Sequence, residues 1–411
     1  MRISEALSAR KVARPRPRAL ELPVQSNPGR YGADGETRLI NCYAEKAGKE
    51  GKLEYPIYAA DGLIDFATLT NGGACRGLFA TETKLYAVSG RLLFSVDPNG
   101  GATTLGGIPG DDPVIFSRNR ATPQQIVLTT GGLKYSISNA TILAEISDTD
   151  LPPASSNDFI DGYTLYFIAD GRVFFSGNDA ATTISASDFF EAEGDPDRLV
   201  RGIVHRRTVF LLGAETTELW DDVGDATTPF QRRPGGFLPF GCLSAGSVVR
   251  IDDNIGLIDD RGRVMLANTA GQTQRISHHA VERDIDALTN AQKALIEGFV
   301  RERRGHTFYV LSGATFTWVY DLTTGLWHQR KSYNKDRWRA AYYALFDGKE
   351  IVGDFESGVL YRLDPDTYDE SNNHLIMTAR FPIHAWPNPV NLKRLRFDMI
   401  PGVGLNSATL H

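Results

Sequence analysis

Lys84-Leu85-Tyr86-Ala87-Val88-Ser89-Gly90-Arg91-Leu92-Leu93-Phe94-Ser95-Val96 sets an apolar strand, a glycine turn and a second apolar strand end to end. The phrase returns around Gly132, as Ile126-Val127-Leu128 and then Leu133-Lys134-Tyr135-Ser136-Ile137, and again around Gly171, Gly213, Gly262, Gly313 and Gly358. Units spaced by roughly 40–50 residues with a hairpin in each are the signature of propeller blades. The predicted fold is all-β: a β-propeller of seven blades, with six as the alternative, followed by a partial β-sandwich unit. The hairpin strands are apolar almost throughout rather than alternating, as in Tyr163-Thr164-Leu165-Tyr166-Phe167-Ile168. Both faces of such strands must be covered, and neighbouring blades supply the cover.

Bulk composition agrees. The 411 residues are 42% apolar and 23% charged, ordinary for a globular protein, and 40 glycines suit many tight turns. A net charge of −6 argues against a nucleic-acid-binding body. Cys42, Cys75 and Cys242 show no metal or redox spacing and read as buried thiols in a reducing compartment. No apolar run is long enough to span a bilayer, and the N-terminus lacks the apolar core of a secretion signal. The expectation is synthesis in a cytoplasm without membrane insertion.

Three regions follow. Residues 1–37 form a basic Pro/Arg-rich extended arm, since Arg10, Lys11, Arg14, Arg16 and Arg18 alternate with Pro15 and Pro17. These five cations are the candidate partner-binding residues, reaching either phosphates or, preferably, an acidic groove of a partner protein, because no aromatic side chains sit among them to stack on bases. Residues 38–370 form the propeller. One of the strands before the first hairpin, which include Leu39-Ile40-Asn41-Cys42-Tyr43 and Leu63-Ile64-Asp65-Phe66, is available to complete the last blade, and Ala280 to Glu297 has the spacing of one or two short helices with Thr289 as a cap. Residues 371–411 begin a C-terminal β unit that stops short.

The search for chemistry returns structural explanations. Gly48-Lys49-Glu50-Gly51-Lys52 lacks the Ser/Thr of a phosphate loop, and Ser244 lacks the first glycine of a nucleophile elbow. His278-His279 has no third ligand at metal spacing. Asp221-Asp222, Asp252-Asp253 and Asp259-Asp260 read as turn residues, the alternative being an acid–base pair across the channel acting on a sugar. Tyr320-Asp321-Leu322-Thr323-Thr324-Gly325-Leu326-Trp327 reads as a kelch-type turn, with Asp and Thr tying the bend and Trp filling a blade interface. No catalytic residue, cofactor or metal site is predicted.

Several phrases, in order, carry a resemblance: Leu39-Ile40-Asn41-Cys42-Tyr43-Ala44, Leu53-Glu54-Tyr55-Pro56-Ile57, Val200-Arg201-Gly202-Ile203-Val204-His205-Arg206, Glu215-Thr216-Thr217-Glu218-Leu219-Trp220, Phe237-Leu238-Pro239-Phe240-Gly241-Cys242, Gln274-Arg275-Ile276-Ser277 and Tyr361-Arg362-Leu363-Asp364. From about Leu39 to Met399 the chain resembles the packaged-DNA stabilisation proteins of short-tailed bacteriophages, the tail accessory factors that form a hub under the portal. The resemblance implies a non-enzymatic virion component, part of the phage tail, in a ring of six copies. Its implied partners are the portal-adaptor ring, the tail needle and the tail spike or fibre, with double-stranded DNA passing unread. The alternatives are a propeller that binds receptor glycans and a bladed polysaccharide hydrolase or lyase.

Overall fold

The computed structural model describes residues 23–30, 35–47, 54–192, 194, 197–225 and 228–380. Successive antiparallel sheets occupy 75–107 (blade 1), 115–145 (blade 2), 154–191 (blade 3), 199–238 (blade 4), 249–275 (blade 5) and 297–329 (blade 6). Blade 7 takes its first three strands from 340–364, and Gly62–Thr68 is its fourth. Ala340–Phe346, innermost in blade 7, packs beside Cys75–Ala80, innermost in blade 1, so the ring closes. Six of the seven glycines of the repeated phrase fall between the second and third strands of these sheets, and Gly213 is the last residue of its second strand.

Burial grades outward through each blade. The second strands Leu85–Ser89, Ile126–Thr130 and Thr208–Gly213 are buried at every position, whereas the fourth strands Ala102–Gly107 and Thr273–Arg275 are largely exposed. An apolar run without alternation is therefore what a strand between two neighbouring blades requires. Each joint also carries polar ties. Asn157 of blade 3 donates to the Ile115 carbonyl and Thr129 hydroxyl of blade 2, both at 2.9 Å, and the Tyr309 hydroxyl of blade 6 donates to the Ser247 carbonyl at 2.6 Å.

The borrowed strand packs in both directions around the wheel. Leu63 pairs with Leu363 and lies in the core shared with Phe299, Phe308 and Val310 of blade 6. Ala67, on the same strand, joins the core formed with Leu85, Ala87 and Phe94 of blade 1. The seam is thus apolar on both faces.

Two helices, α1 (His279–Asp286) and α2 (Asn290–Ala294), fill the passage from blade 5 to blade 6. Val281 and Ile285 of α1 are fully buried. Thr289 starts α2 with a capping box completed by Gln292, as its position before the second apolar run suggests.

Strand pairing crosses both expected boundaries. Asn27–Pro28 pairs with Glu36–Ile40, which meets Leu326–Gln329 of blade 6 in parallel and Thr378–Arg380 in antiparallel register. Asp369–Glu370 and Asn373–His374 extend blade 7 beyond its borrowed strand. Asn373–His374 and Thr378–Arg380 accordingly join propeller sheets, and 381–411, where the C-terminal β unit was expected to continue, lie outside the described residues.

Leu63→Ala is expected to destabilise the propeller by about 2–5 kcal/mol, the cost of a cavity in a well-packed core. Urea unfolding followed by tryptophan fluorescence checks this; an unchanged midpoint would mean the seam carries no stability.

Candidate functional site

Arg10, Lys11, Arg14, Arg16 and Arg18 lie outside the described residues, as do residues 48–53 with their lysines. Within the described residues, polar side chains converge in two places: the axis of the wheel, and the seam where both chain ends meet blades 6 and 7.

Innermost strands build the axis. Arg76, second in the first strand of blade 1, is almost fully buried and acts as a staple. It donates to the carbonyls of Asp112 (2.8 Å), Gly90 (2.9 Å) and Ile108 (3.0 Å) and to the Thr130 hydroxyl (2.9 Å), tying blade 1 to blade 2. Asp158 of blade 3 accepts from the Val204 amide of blade 4 at 2.7 Å and from Arg250 of blade 5, whose Nε also donates to the Val204 carbonyl at 2.7 Å. Glu297 of blade 6 accepts from Arg337 at 2.7 Å and from the Tyr342 hydroxyl of blade 7; burial raises its carboxyl above the usual range even so. Cys75 and Cys242 are buried thiols, each pushed up to about 12 by desolvation, which leaves them without nucleophilic thiolate.

At the seam, Arg301 is 6% exposed and holds Glu350 through two 3.0 Å hydrogen bonds while also meeting Asp61. Arg330 lies 4.0 Å over the Trp338 ring, and the indole donates to Glu370 at 2.8 Å. A cavity of about 20 Å³, room for roughly one water, opens among Tyr43, Asp61, Arg301, His328 and Arg330. The seam is crowded with paired charges, and its cavity has no room for a sugar.

The remaining sequence candidates find structural employment. Asp221 holds Arg233 and Asp259 holds Arg263, each within its own blade. Asp253 meets Arg206 on the surface, and Asp260 accepts from the Gly241 amide at 3.1 Å. None of the doublets faces another across the axis. The buried Ser244 hydroxyl donates to the Ala294 carbonyl at 3.1 Å. Asp321 accepts from the Thr323 amide (3.0 Å) and Thr324 hydroxyl (2.7 Å), and Trp327 is buried with its indole on the Ile276 carbonyl, so the kelch-type phrase performs as read. Among the described residues no three His, Cys, Asp or Glu side chains group to hold a metal, and no helix is long and apolar enough to cross a membrane.

Two of the quoted phrases owe their glycines to close packing. A side chain at Gly202 would strike the Phe167 ring at 2.0 Å, and one at Gly241 would strike the Ala214 backbone at 2.2 Å. The family model for the bacteriophage P22 Gp10 β-propeller matches residues 45–368, from before the closing strand to the end of blade 7. The chain belongs to that family. It is accordingly a bacteriophage structural protein of the class that stabilises packaged DNA. No curated protein matches by sequence. Similar solved structures include the WD40 β-propeller domain of Doa1 (13% identity, TM-score 0.47, 74% of this chain and 96% of that one). The computationally designed Ika8 protein (12%, 0.41, 73% and 99%) and YCF48 bound to D1 peptide (11%, 0.45, 75% and 96%) are others.

His278 gives this family member an acid limit. It caps α1, with Nδ1 accepting from the Ala280 amide at 3.2 Å, and packs edge-on against Trp318 and Trp327. Burial lowers its pKa from 6.5 to about 4, and burial lowers His328 to about 3. The unfolded chain binds these protons below about pH 6.5 and the folded chain does not, so stability is complete above 6.5 and declines as pH falls toward 4. His278→Asn keeps a capping side chain without the titration. Its stability should fall less steeply between pH 6.5 and 4 in urea titrations, and an unchanged slope would remove His278 as a cause.

Proposed function

We propose that the protein is a component of a phage tail hub, where propellers arranged around the tail axis seal packaged DNA beneath the portal-adaptor ring and seat the needle and the tail spikes or fibres. The family match across all the blades is the observation that supports this reading. The geometry agrees with it: the axis is occupied by side chains that tie blades together, so what the molecule offers to others is its faces, rim and ends. A ring of copies is the assembly such a platform calls for, with six as the number. The double-stranded DNA it retains is not read by sequence, consistent with a net charge of −6.

The arm bearing Arg10, Lys11, Arg14, Arg16 and Arg18 is proposed to tie each copy to a neighbouring copy or to the adaptor ring. Prolines there lower the entropy lost on docking. Particles made without this protein are expected to lose DNA from filled heads, seen as empty capsids in negative stain. Heads that remain full and infectious would overturn the sealing role. Deleting residues 1–20 should leave thermal unfolding of the propeller unchanged while reducing ring or tail assembly, measured by sedimentation. Normal assembly without the arm would assign the contact elsewhere.

A further inference from the structure

Edge strands invite pairing with other chains, and folds blunt them with charge, proline, bulges or a covering segment. Blades 3 to 7 are blunted in these ways. The fourth strand of blade 3 carries Asp188 and Glu191, that of blade 4 Arg232, Arg233 and Pro234, and that of blade 5 Arg275. Blade 6 is met by Ser26 and Glu36–Ile40, and blade 7 by Asp369–Glu370. Blades 1 and 2 differ. Ala102–Gly107 holds neither charge nor proline, and a register shift at Leu105 is its one protection; Ile142–Glu145 is charged only at its last residue. No Asp, Glu, Lys or Arg occurs from Pro98 to Gly110 or from Tyr135 to Ala144, in a chain that is 23% charged. The two strands form one surface, since a Cβ at Gly106 would lie 2.8 Å from the Leu143 side chain. Thr103 and Ala144 are exposed on it, and Ile142 is 54% exposed.

A second surface of the same kind lies at the seam. From Ser371 to Ala379 there is again no Asp, Glu, Lys or Arg. Ile376 is 55% and Met377 46% exposed, and the exposed Tyr333 ring lies 5.9 Å from that of His374. Thr378–Arg380 pairs on one side with Glu36–Ile40, and among the described residues no strand pairs with its other edge. Each surface is thus free of charge, apolar at its centre and bordered by an open strand edge. A charged partner would lose hydration against either one without gaining a counter-charge, whereas an uncharged apolar partner loses nothing. The two surfaces match each other in this respect, yet they cannot meet within one molecule because blade 7 stands between them.

We propose that the rim of blades 1 and 2 docks on the Tyr333, Ile376 and Met377 surface of a second copy of this chain. The proposal rests on the ring reading above and names the contact that builds the ring. Two different patches meeting make a head-to-tail contact, which repeats from copy to copy and leaves no patch bare once the ring closes. Ile142, Ile376 and Met377 supply the apolar burial, and the open edges offer main-chain hydrogen bonds between copies.

Sedimentation velocity of the full chain over a range of concentrations tests this. The wild type should associate beyond a dimer. Ile142→Glu on one surface and Met377→Glu on the other should each weaken association by about tenfold or more. Both side chains are half exposed, so both variants should keep the wild-type unfolding midpoint. Thr103→Lys, which blunts the edge strand itself, is a second variant of the first surface. Ile142→Glu and Met377→Glu chains mixed in equal amounts should form dimers that do not grow, because each pair retains one intact contact. Variants that associate like the wild type, or a mixture that stays monomeric, would overturn the contact and leave the hub reading standing. Association lost in Ile142→Glu but kept in Met377→Glu would give the seam surface another occupant, such as the chain's own residues after Arg380, and so overturn the pairing. A wild type that is monomeric throughout would remove the contact and the ring together.

Discussion

A circular stack of sheets is stable only when no sheet is left with a bare face. In this protein that condition is met by Gly62–Thr68, laid antiparallel along Val359–Asp364. Leu63 on this strand packs toward blade 6 and Ala67 toward blade 1, so one segment from near the start of the chain completes two cores near its end. Every other blade is built from contiguous sequence and closes locally. The ring itself closes once, at one place, and the free energy of all seven inter-blade joints depends on that joint being made. Apolar area buried there contributes at roughly 25 cal/mol per Å².

Polar interactions are distributed differently from apolar ones. Outer strands face water and carry few buried polar groups, whereas the inner strands and the seam hold Arg76, Asp158, Glu297, Arg301 and Glu350 in nearly dry surroundings. Removing one member of such a pair leaves a buried charge and is far more damaging than removing both. These groups fix the angle at which each blade meets the next, which an apolar interface alone leaves loosely specified. Rigidity suits a structural protein, the role that family membership gives the chain.

The blades were legible because the physics of their inner hairpins is local. A strand buried on both faces reads as an uninterrupted apolar run, and the glycine after it marks the turn. Thr289 and Asp321 were legible for the same reason, since a cap and a tied turn involve neighbours three or four residues away. The axis was not. Arg201 and Arg76 sit inside apolar inner strands as Val200-Arg201-Gly202 and Cys75-Arg76-Gly77, and a lone arginine before a glycine there was the available signal. The Asp321 turn also recurs: Asp222, Asn268 and Asp364 end third strands, Asp97 directly follows one, and each accepts an amide from the following turn. The pairing of Glu36–Ile40 with Thr378–Arg380 joins positions far apart in the chain, and no local pattern announces it.

That pairing has a mechanical consequence. The chain runs into the small terminal sheet past Ser26, whose hydroxyl accepts from the Leu39 amide, and out of it at Arg380, beside Arg38 and Glu36. Asn27–Pro28 and Thr378–Arg380 both run antiparallel to Glu36–Ile40, so the chain enters from the Ile40 side of that strand and leaves toward its Glu36 side. Tension applied between the two ends acts along these strands and not across them, so the hydrogen bonds share the load together instead of opening one after another. A wheel moored through its two ends is held in shear, the direction in which short β ladders resist force best.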